Sequence, residues 1–255
     1  MIVAVTREVG PSFSSCEVTH LSRQPIDVEL ARRQHRDYER CLTEAGCEIH
    51  RLPAEHDLPD SVFVEDAAVV LDELAVIALP GAASRRPEVD SVARALEPLR
   101  SLRRIEAPGT LEGGDVLRIA DRLFVGRSTR TNDAGIEQLR KLVAPEGYSV
   151  TGVEIEHCLH LKSAATLVAE STLLVHRAWV DPRAFGDVDI VEVDPSEPTA
   201  ANALWVREVV LFPAAHVRTR ERLERRGVST VALDVSEIAK AEGGLTCCSL
   251  ILELS

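Results

Sequence analysis

Three residues of types that can act together in nucleophilic catalysis lie in separate parts of the chain. Cys247 follows the turn sequence GGLT, His160 lies just before the apolar stretch AATLV, and Glu112 precedes the two glycines of LEGGD. A thiol becomes a strong nucleophile as a thiolate, which an imidazole and a nearby cation both favour. A carboxylate next to two glycines stays uncovered and can orient an imidazole. These residue types predict thiolate chemistry on a cationic substrate if the fold brings them together.

The elements that must position these residues form a repeat. An apolar strand, an acidic turn and a second apolar strand recur four times, with turn acids at Asp72, Asp121, Glu170 and Glu208. Such runs on either side of a short polar turn are typical of β-hairpins. A fifth strand, SLILEL, carries Glu253 near the C-terminus. We expect it to pair with the N-terminal strand IVAVT, which would close the chain on itself.

An amphipathic helix and a short strand follow most of the hairpins. The helical patterns include Val28, Val89, Ile136 and Val217, whereas the helix of the fourth unit is shrunken and VDIVEVD supplies its last strand. The unit is therefore ββαβ, repeated about five times. Units this small must pack side by side to bury their apolar faces. The sequence predicts an α/β fold, a five-fold pseudosymmetric ββαβ propeller that forms one domain over residues 1–255. A generic α+β sheet whose hairpins merely look alike is the alternative.

The equivalence of the units predicts where polar residues meet. The residues six positions before the turn acids and Glu253 are Asp66, Asp115, Ala164, Asn202 and Cys247. Polar and reactive groups at strand ends near an internal axis commonly form a pocket. Strand alternation would turn Cys248 to the face opposite Cys247. We therefore expect one thiol of the pair to face the site.

Composition excludes several classes of function. The 255 residues carry a formal net charge of −12, which opposes binding to nucleic acid or to an anionic membrane and suits a cationic ligand. The N-terminus lacks the apolar segment of a secretory signal, and no later run is long enough to span a bilayer. The six cysteines show no CxxC pair or structural-zinc spacing. We expect a cytoplasmic protein with free thiols and a small-molecule partner.

Six stretches of the chain resemble one known family. The stretches SVFVEDAAVV, GAASRRPEVD, LEGGDVL, GRSTRTN, HLKSAATLV and GGLTCCSLIL occur in the order and approximate spacing of the dimethylarginine dimethylaminohydrolases, a family of the pentein, or guanidine-modifying, superfamily. The similarity spans nearly the whole chain. It implies the pentein fold and hydrolysis of Nω-methylated arginines to citrulline and a methylamine.

The resemblance also implies roles for the three catalytic candidates. Cys247 matches the nucleophile, His160 the general acid and base, and Glu112 the third catalytic acid. Attack by the thiolate would give a covalent S-alkylthiouronium, which water activated by His160 would hydrolyse. This chemistry needs no metal or organic cofactor. Zinc could still inhibit by binding Cys247 and His160, because thiolate and imidazole are ligands that it prefers.

Seven further residues match substrate-binding positions of the family. They are Glu65, Asp66, Asp60, Arg85, Arg130, Val18 and Ala241. Glu65 and Asp66 would bind the guanidinium, and Asp60 would help to hold the amino-acid end. Arg85 and Arg130 would hold the substrate carboxylate. A mobile lid over residues 10–23 would contain Val18.

Three alternative functions stay open at this point. The first is another guanidino-group hydrolase of the same fold, such as an arginine deiminase, which would act on unmethylated arginine and would use the same arginines for the carboxylate. A non-catalytic pentein would serve as a binding module and would not need Cys247, His160 and Glu112 together. A papain-like cysteine peptidase is disfavoured because its surrounding motifs are absent. The sequence does not determine the oligomeric state.

Overall fold

The computed structural model of the protein describes residues 1–254, whose strands form five three-stranded sheets. The strands are Ile2–Arg7 (β1), Cys47–Leu52 (β2), Ala68–Val70 (β3), Leu74–Ile77 (β4), Ser101–Arg104 (β5), Val116–Ile119 (β6), Arg122–Arg127 (β7), Ser149–Glu154 (β8), Ala165–Ala169 (β9), Thr172–Val175 (β10), Asp189–Glu192 (β11), Leu204–Val206 (β12), Val209–Pro213 (β13), Thr230–Leu233 (β14) and Leu250–Glu253 (β15). The helices are Val28–Glu44 (α1), Val89–Leu96 (α2), Asp133–Val143 (α3), Leu161–Ala164 (α4), Val217–Arg225 (α5) and Ser236–Lys240 (α6).

Every sheet has the same topology. An antiparallel hairpin provides two strands, and the third strand runs parallel to the second strand of that hairpin. The sheets have the orders β15-β1-β2, β3-β4-β5, β6-β7-β8, β11-β10-β9 and β12-β13-β14. In the first of them the two ends of the chain pair, with Ile2 opposite Glu253. The predicted hairpin across the termini is therefore confirmed.

The helices connect the second and third strands of the units, as the sequence predicts. Helices α1, α2, α3 and α5 occupy this position, and a 3₁₀ turn at Pro182–Phe185 takes their place in the fourth unit. Asp27 caps α1 by accepting a hydrogen bond from the Leu30 N–H, and Asn132 caps α3 in the same way. Within residues 1–254, no helix combines the length and the apolar character needed to cross a membrane.

Apolar side chains form five clusters, one between each pair of neighbouring units. Strand β1 shows how the clusters are built. Its Ile2 and Ala4 belong to the cluster shared with β13, whereas Val3 and Val5 belong to the cluster shared with β4. Because strand residues alternate between faces, a central strand buried on both sides is apolar throughout. The five contacts close the ring and confirm the α/β propeller over the generic α+β sheet.

The two glycines of LEGGD allow the backbone of one unit to approach the next. A Cβ atom built on Gly113 would lie 2.0 Å from the carbonyl oxygen of Glu65. Real side chains do not tolerate such a contact, and the carbonyl oxygen belongs to backbone that cannot move aside easily. Glycine at position 113 is therefore required for this close approach between units.

We expect Gly113→Ala to lower the free energy of unfolding by about 2 kcal/mol or more, because the added methyl group must displace the backbone of the neighbouring unit. Urea denaturation measures the change. The matched control is Gly152→Ala in β8, whose Cβ would meet the guanidinium of Arg127, the end of a flexible side chain that can move away. Equal losses in the two variants would contradict the close approach.

Candidate active site

Five short turns, one in each unit, surround the axis of the ring at the start of β3, β6, β9, β12 and β15. They comprise residues 64–67, 113–115, 161–164, 198–201 and 246–248 and are called the axial turns below. They contain four of the five residues predicted to meet at the axis, and Asn202 follows the fourth turn directly. The predicted convergence of these positions is therefore observed.

Hydrogen bonds join the axial turns to one another. Three of the equivalent residues each accept a bond from the backbone of the next turn. These bonds run from Gly114 N to Asp66 Oδ1, from Leu161 N to Asp115 Oδ1 and from Thr246 N to Asn202 Oδ1, each 3.0 Å long. Side chains complete the ring, because Asn202 Nδ2 donates to the Lys162 carbonyl at 3.3 Å and Thr246 Oγ1 donates to Glu65 Oε2 at 2.7 Å.

His160 and Glu112 form a buried pair beside this ring. His160 directly precedes α4, and its Nε2 lies 2.7 Å from Glu112 Oε2. The other carboxylate oxygen of Glu112 accepts the Gly81 N–H at 3.2 Å. Burial disfavours the charged ring, but the carboxylates of Asp66, Asp115 and Glu112 outweigh it and raise the pKa of His160 to about 9. His160 is therefore an imidazolium at neutral pH.

The Cys247 thiol lies in the last axial turn, Thr246–Cys248. It is 8% exposed, and its Sγ accepts a hydrogen bond from Gly244 N at 3.3 Å. Burial, together with the negative charges of Glu65 and Asp66, raises the pKa of Cys247 to about 12. The thiol is therefore neutral in the free protein.

The prediction that strand alternation turns Cys247 and Cys248 to opposite faces is wrong. Cys247 and Cys248 belong to a 3₁₀ turn, and strand β15 begins only at Leu250. Cys248 is buried, and its S–H donates to the Gly244 carbonyl at 3.6 Å. Different contacts within one turn therefore separate the two thiols, rather than opposite faces of a strand.

Two adjacent carboxylates, Glu65 and Asp66, lie in the first axial turn. Glu65 Oε1 accepts a bond from Lys162 Nζ at 2.6 Å, and burial raises its pKa. Asp66 Oδ2 accepts a bond from Arg85 Nη1 at 2.6 Å, while Oδ1 lies 3.8 Å from His160 Nδ1. Burial opposes the charge on Asp66, but His160 and Arg85 hold its pKa below the usual value.

Arg85 is more fully engaged than the sequence suggests. It is buried and donates to the carboxylates of Asp66 and Glu88 and to the carbonyl oxygens of Asp60 and Phe63. In this conformation, Arg85 therefore holds the Asp66 carboxylate in place. Its expected contact with a substrate carboxylate stays a prediction.

Arg130 and Asp60 lie beneath the lid, residues 10–23. Arg130 Nη2 donates to Glu17 Oε2 at 3.0 Å and to Thr19 Oγ1 at 3.3 Å. Its buried Nη1 has no hydrogen-bond partner in the described chain and lies 3.7 Å from Glu112 Oε1. Both carboxylate oxygens of Asp60 accept the backbone N–H of Glu17. The lid therefore covers two of the three groups expected to hold the amino-acid end of a substrate.

Val18 and Ala241 lie in the apolar cluster that includes Cys247 and Phe63. Val18 is half-buried and Ala241 is fully buried. The cluster provides an apolar surface next to the charged groups of the site. Direct contact of Val18 or Ala241 with substrate stays a prediction.

Sequence reasoning assigned no role to several residues that hold the site together. They are Glu17, Glu88, Lys162, Asn202 and Thr246. The equivalence of the units predicted the place of Asn202 at the axis but gave it no role. Lys162 and Thr246 each lie within two residues of a catalytic candidate. The sequence did not indicate a role for Glu17, because the lid has no periodic pattern of apolar residues.

Asp66, Glu112 and His160 place three potential metal ligands within 4.8 Å of one another. The two carboxylates and the imidazole are chemically suitable for a divalent cation. However, Arg85 Nη1 lies 2.6 Å from Asp66 Oδ2 and 3.9 Å from Glu112 Oε2. This guanidinium already compensates the carboxylates and would repel a cation, so we assign no metal to the cluster.

Comparison with known proteins shows similarity along nearly the whole chain. Residues 17–183 match the sequence model of the eukaryotic N,N dimethylarginine dimethylhydrolases. The N(G),N(G)-dimethylarginine dimethylaminohydrolase of Streptomyces coelicolor is 39% identical over 251 residues, which cover 98% of this chain and 96% of that protein.

Two solved structures share the fold closely. A Cys-to-Ser mutant of the Pseudomonas aeruginosa enzyme, complexed with citrulline, superposes with a TM-score of 0.94 at 35% identity and covers 97% of this chain and 98% of its own. A dimethylarginine dimethylaminohydrolase with a His-to-Gly change, in an adduct with S-methyl-L-thiocitrulline, gives a TM-score of 0.93 at 35% identity and covers 98% of this chain and 100% of its own. The chain therefore belongs to the dimethylarginine dimethylaminohydrolase family of the pentein superfamily.

Proposed function

We propose that the protein hydrolyses Nω-methylated arginines, asymmetric dimethylarginine and monomethylarginine, to citrulline and di- or monomethylamine. The observation that carries this proposal is the placement of Glu65 and Asp66 near the Cys247 thiol, with the His160–Glu112 pair close by. This arrangement fits a planar cation that is attacked at carbon by sulfur. The citrulline complex and the thiocitrulline adduct of the two relatives support the same class of substrate.

The carboxylates of Glu65 and Asp66 are suited to bind the guanidinium. A guanidinium stays protonated up to a pKa above about 12 and is a poor electrophile for water. The oxygens of the two carboxylates accept bonds from Lys162, Thr246, Arg85 and Gly114, and they retain lone pairs for further donors. Charge-assisted bonds from the guanidinium N–H groups would fix its central carbon over Cys247.

Substrate binding itself activates the nucleophile. In the free protein the pKa of Cys247 is about 12, so the thiol is neutral at pH 7. A bound guanidinium places positive charge beside the thiol and offsets the charges of Glu65 and Asp66, which raise that pKa. The thiol then loses its proton to solvent. The reactive thiolate therefore forms mainly when a cationic substrate is present.

The reaction proceeds in two steps, formation and hydrolysis of a covalent intermediate on Cys247. The Cys247 thiolate forms an S–C bond to the guanidinium carbon, His160 Nδ1 gives its proton to the methylated nitrogen, and the C–N bond breaks to release the amine. Neutral His160 then takes a proton from water, the oxygen adds to the same carbon, and the C–S bond breaks. The remaining proton of the added water passes to the departing sulfur, so that citrulline is released and the neutral Cys247 thiol is restored. Because Nε2 faces Glu112 at 2.7 Å, Nδ1 is the ring atom available for proton transfer.

Three further properties belong to the same proposal. The protein acts as one catalytic domain over residues 1–255, the last of which lies outside the described part, because all five units contribute to the axial ring. It needs no cofactor, since side chains perform every step. Zinc acts as an inhibitor by binding Cys247 and His160.

The proposed compartment is the cytoplasm. The six cysteines of the chain are all free and buried in the structure. Free thiols are typical of a reducing compartment, whereas an oxidising one favours disulfides.

The direct test of the function is citrulline release from asymmetric dimethylarginine, monomethylarginine and arginine. We expect the methylated compounds to be preferred, without added metal. Cys247→Ser should lower turnover at least about a thousandfold, because the nucleophile is lost. The matched control Cys248→Ser should stay within about tenfold of the wild type. Faster turnover of arginine would indicate a deiminase, and no citrulline from any of the three would reject the proposal.

The state of the thiol provides a pH test. The difference in ultraviolet thiolate absorbance between the wild type and Cys247→Ser should be negligible at pH 8, because a pKa of about 12 leaves the free thiol protonated. The signal should grow only as the pH approaches that value. A thiolate signal that is already complete at pH 8 would show that the resting protein holds a thiolate–imidazolium pair.

A further inference from the structure

Glu17 of the lid contacts Asp60 and Arg130, two of the three groups that are expected to hold the amino-acid end of the substrate. Its backbone N–H donates to Asp60 Oδ2 at 3.1 Å and to Oδ1 at 3.2 Å. Its carboxylate oxygen Oε2 accepts a bond from Arg130 Nη2 at 3.0 Å. The Ser84 hydroxyl donates to the other carboxylate oxygen. Glu17 thus presents an N–H group and a carboxylate, as an α-amino acid does, to the same two protein groups.

The Glu17 carboxylate and a substrate carboxylate would compete for Arg130. The Arg130 side chain is 9% exposed, and its Nη1 has no hydrogen-bond partner in the described chain. A carboxylate binds a guanidinium best through two parallel N–H groups, which here would require Nη2 as well as Nη1. Nη2 is occupied by Glu17. The Glu17 side chain is 38% exposed, so it can leave Arg130 for solvent.

Arg85 is poorly placed to replace Arg130 as the carboxylate ligand. Its guanidinium donates to two carboxylates and two carbonyl oxygens, and breaking these bonds would leave buried acceptors unpaired. The bond from Ser84 and the charge of Arg130 hold the pKa of Glu17 below its usual value. Glu17 is therefore a carboxylate at neutral pH and neutralises the cation that a substrate carboxylate needs.

We propose that Glu17 occupies the α-amino-acid subsite in the free protein and determines how strongly ligand binding depends on the ligand carboxylate. This inference rests on the proposed function. A methylated arginine must displace the Glu17 carboxylate from Arg130 and exchanges one carboxylate contact for another. A guanidine with no carboxylate leaves the Glu17–Arg130 pair intact. Glu17 thus reduces the advantage of the amino-acid substrate over its decarboxylated analogue.

The test compares Glu17→Gln with the wild type on two ligands that differ only in the carboxylate. These are asymmetric dimethylarginine, measured by KM and kcat, and dimethylagmatine, measured by its Ki as a competitor. We expect Glu17→Gln to lower KM for dimethylarginine about three- to tenfold, because a neutral amide competes less well for Arg130. The Ki of dimethylagmatine should not fall. The gain should appear in KM rather than in kcat.

The matched control is Glu29→Gln, which removes an exposed glutamate that pairs with Arg32 at the start of α1, outside the site. Glu29→Gln should leave the ratio of the KM for dimethylarginine to the Ki of dimethylagmatine unchanged. A higher KM for dimethylarginine in Glu17→Gln would show that Glu17 helps substrate binding and would overturn the proposal. An equal shift for both ligands would do the same, since it indicates only a loosened lid.

Failure of the proposed function is distinguishable from failure of this inference. If the wild type releases no citrulline, the function is rejected, and calorimetric titration with L-citrulline, which carries the same amino-acid head group, still tests Glu17. Tighter binding to Glu17→Gln than to the wild type would support the competition. Equal or weaker binding would overturn it.

Discussion

Buried hydrogen bonds between neighbouring axial turns hold the five units in the register that the site needs. Asp66 accepts the backbone N–H of Gly114 with one oxygen, which also faces His160, and pairs with Arg85 through the other. Thr246, directly before the proposed nucleophile, is bound to Asn202 and Glu65. Loss of one member would leave its buried partner unsatisfied, so these bonds act as a network. Catalytic geometry and closure of the ring therefore depend on the same contacts.

The same buried charges keep both reactive groups protonated in the free site. Glu65 and Asp66 raise the pKa of the Cys247 thiol, which burial also raises, whereas Asp66, Asp115 and Glu112 keep His160 protonated against its burial. The free site thus combines an acid ready to protonate a leaving amine with a nucleophile that is not yet ionised. In the proposed mechanism, a cationic substrate compensates the carboxylates and thereby lowers the pKa of the thiol. Selection for cations and activation of sulfur then have one electrostatic cause.

Sequence reasoning reached the features that follow from periodicity and failed where local geometry departs from it. The hairpins, including the pairing of Ile2 with Glu253, follow from alternating apolar runs, and equivalence of the units located Asp66 and Asn202 at the axis. Strand alternation could not describe Cys248, because a 3₁₀ turn precedes β15. The full engagement of Arg85 and the lid contacts of Glu17 arise from long-range packing. No pattern in the segments around them encodes those partners.

Intact-protein mass spectrometry of His160→Gly treated with S-methyl-L-thiocitrulline, followed by peptide mapping, tests the covalent mechanism most directly. A better leaving group needs less acid catalysis in the first step, whereas water in the second step still lacks its base. The account predicts a persistent added mass on Cys247 that is absent when the same variant also carries Cys247→Ser. A persistent adduct on Cys158 or Cys248 instead would contradict the assignment of the nucleophile.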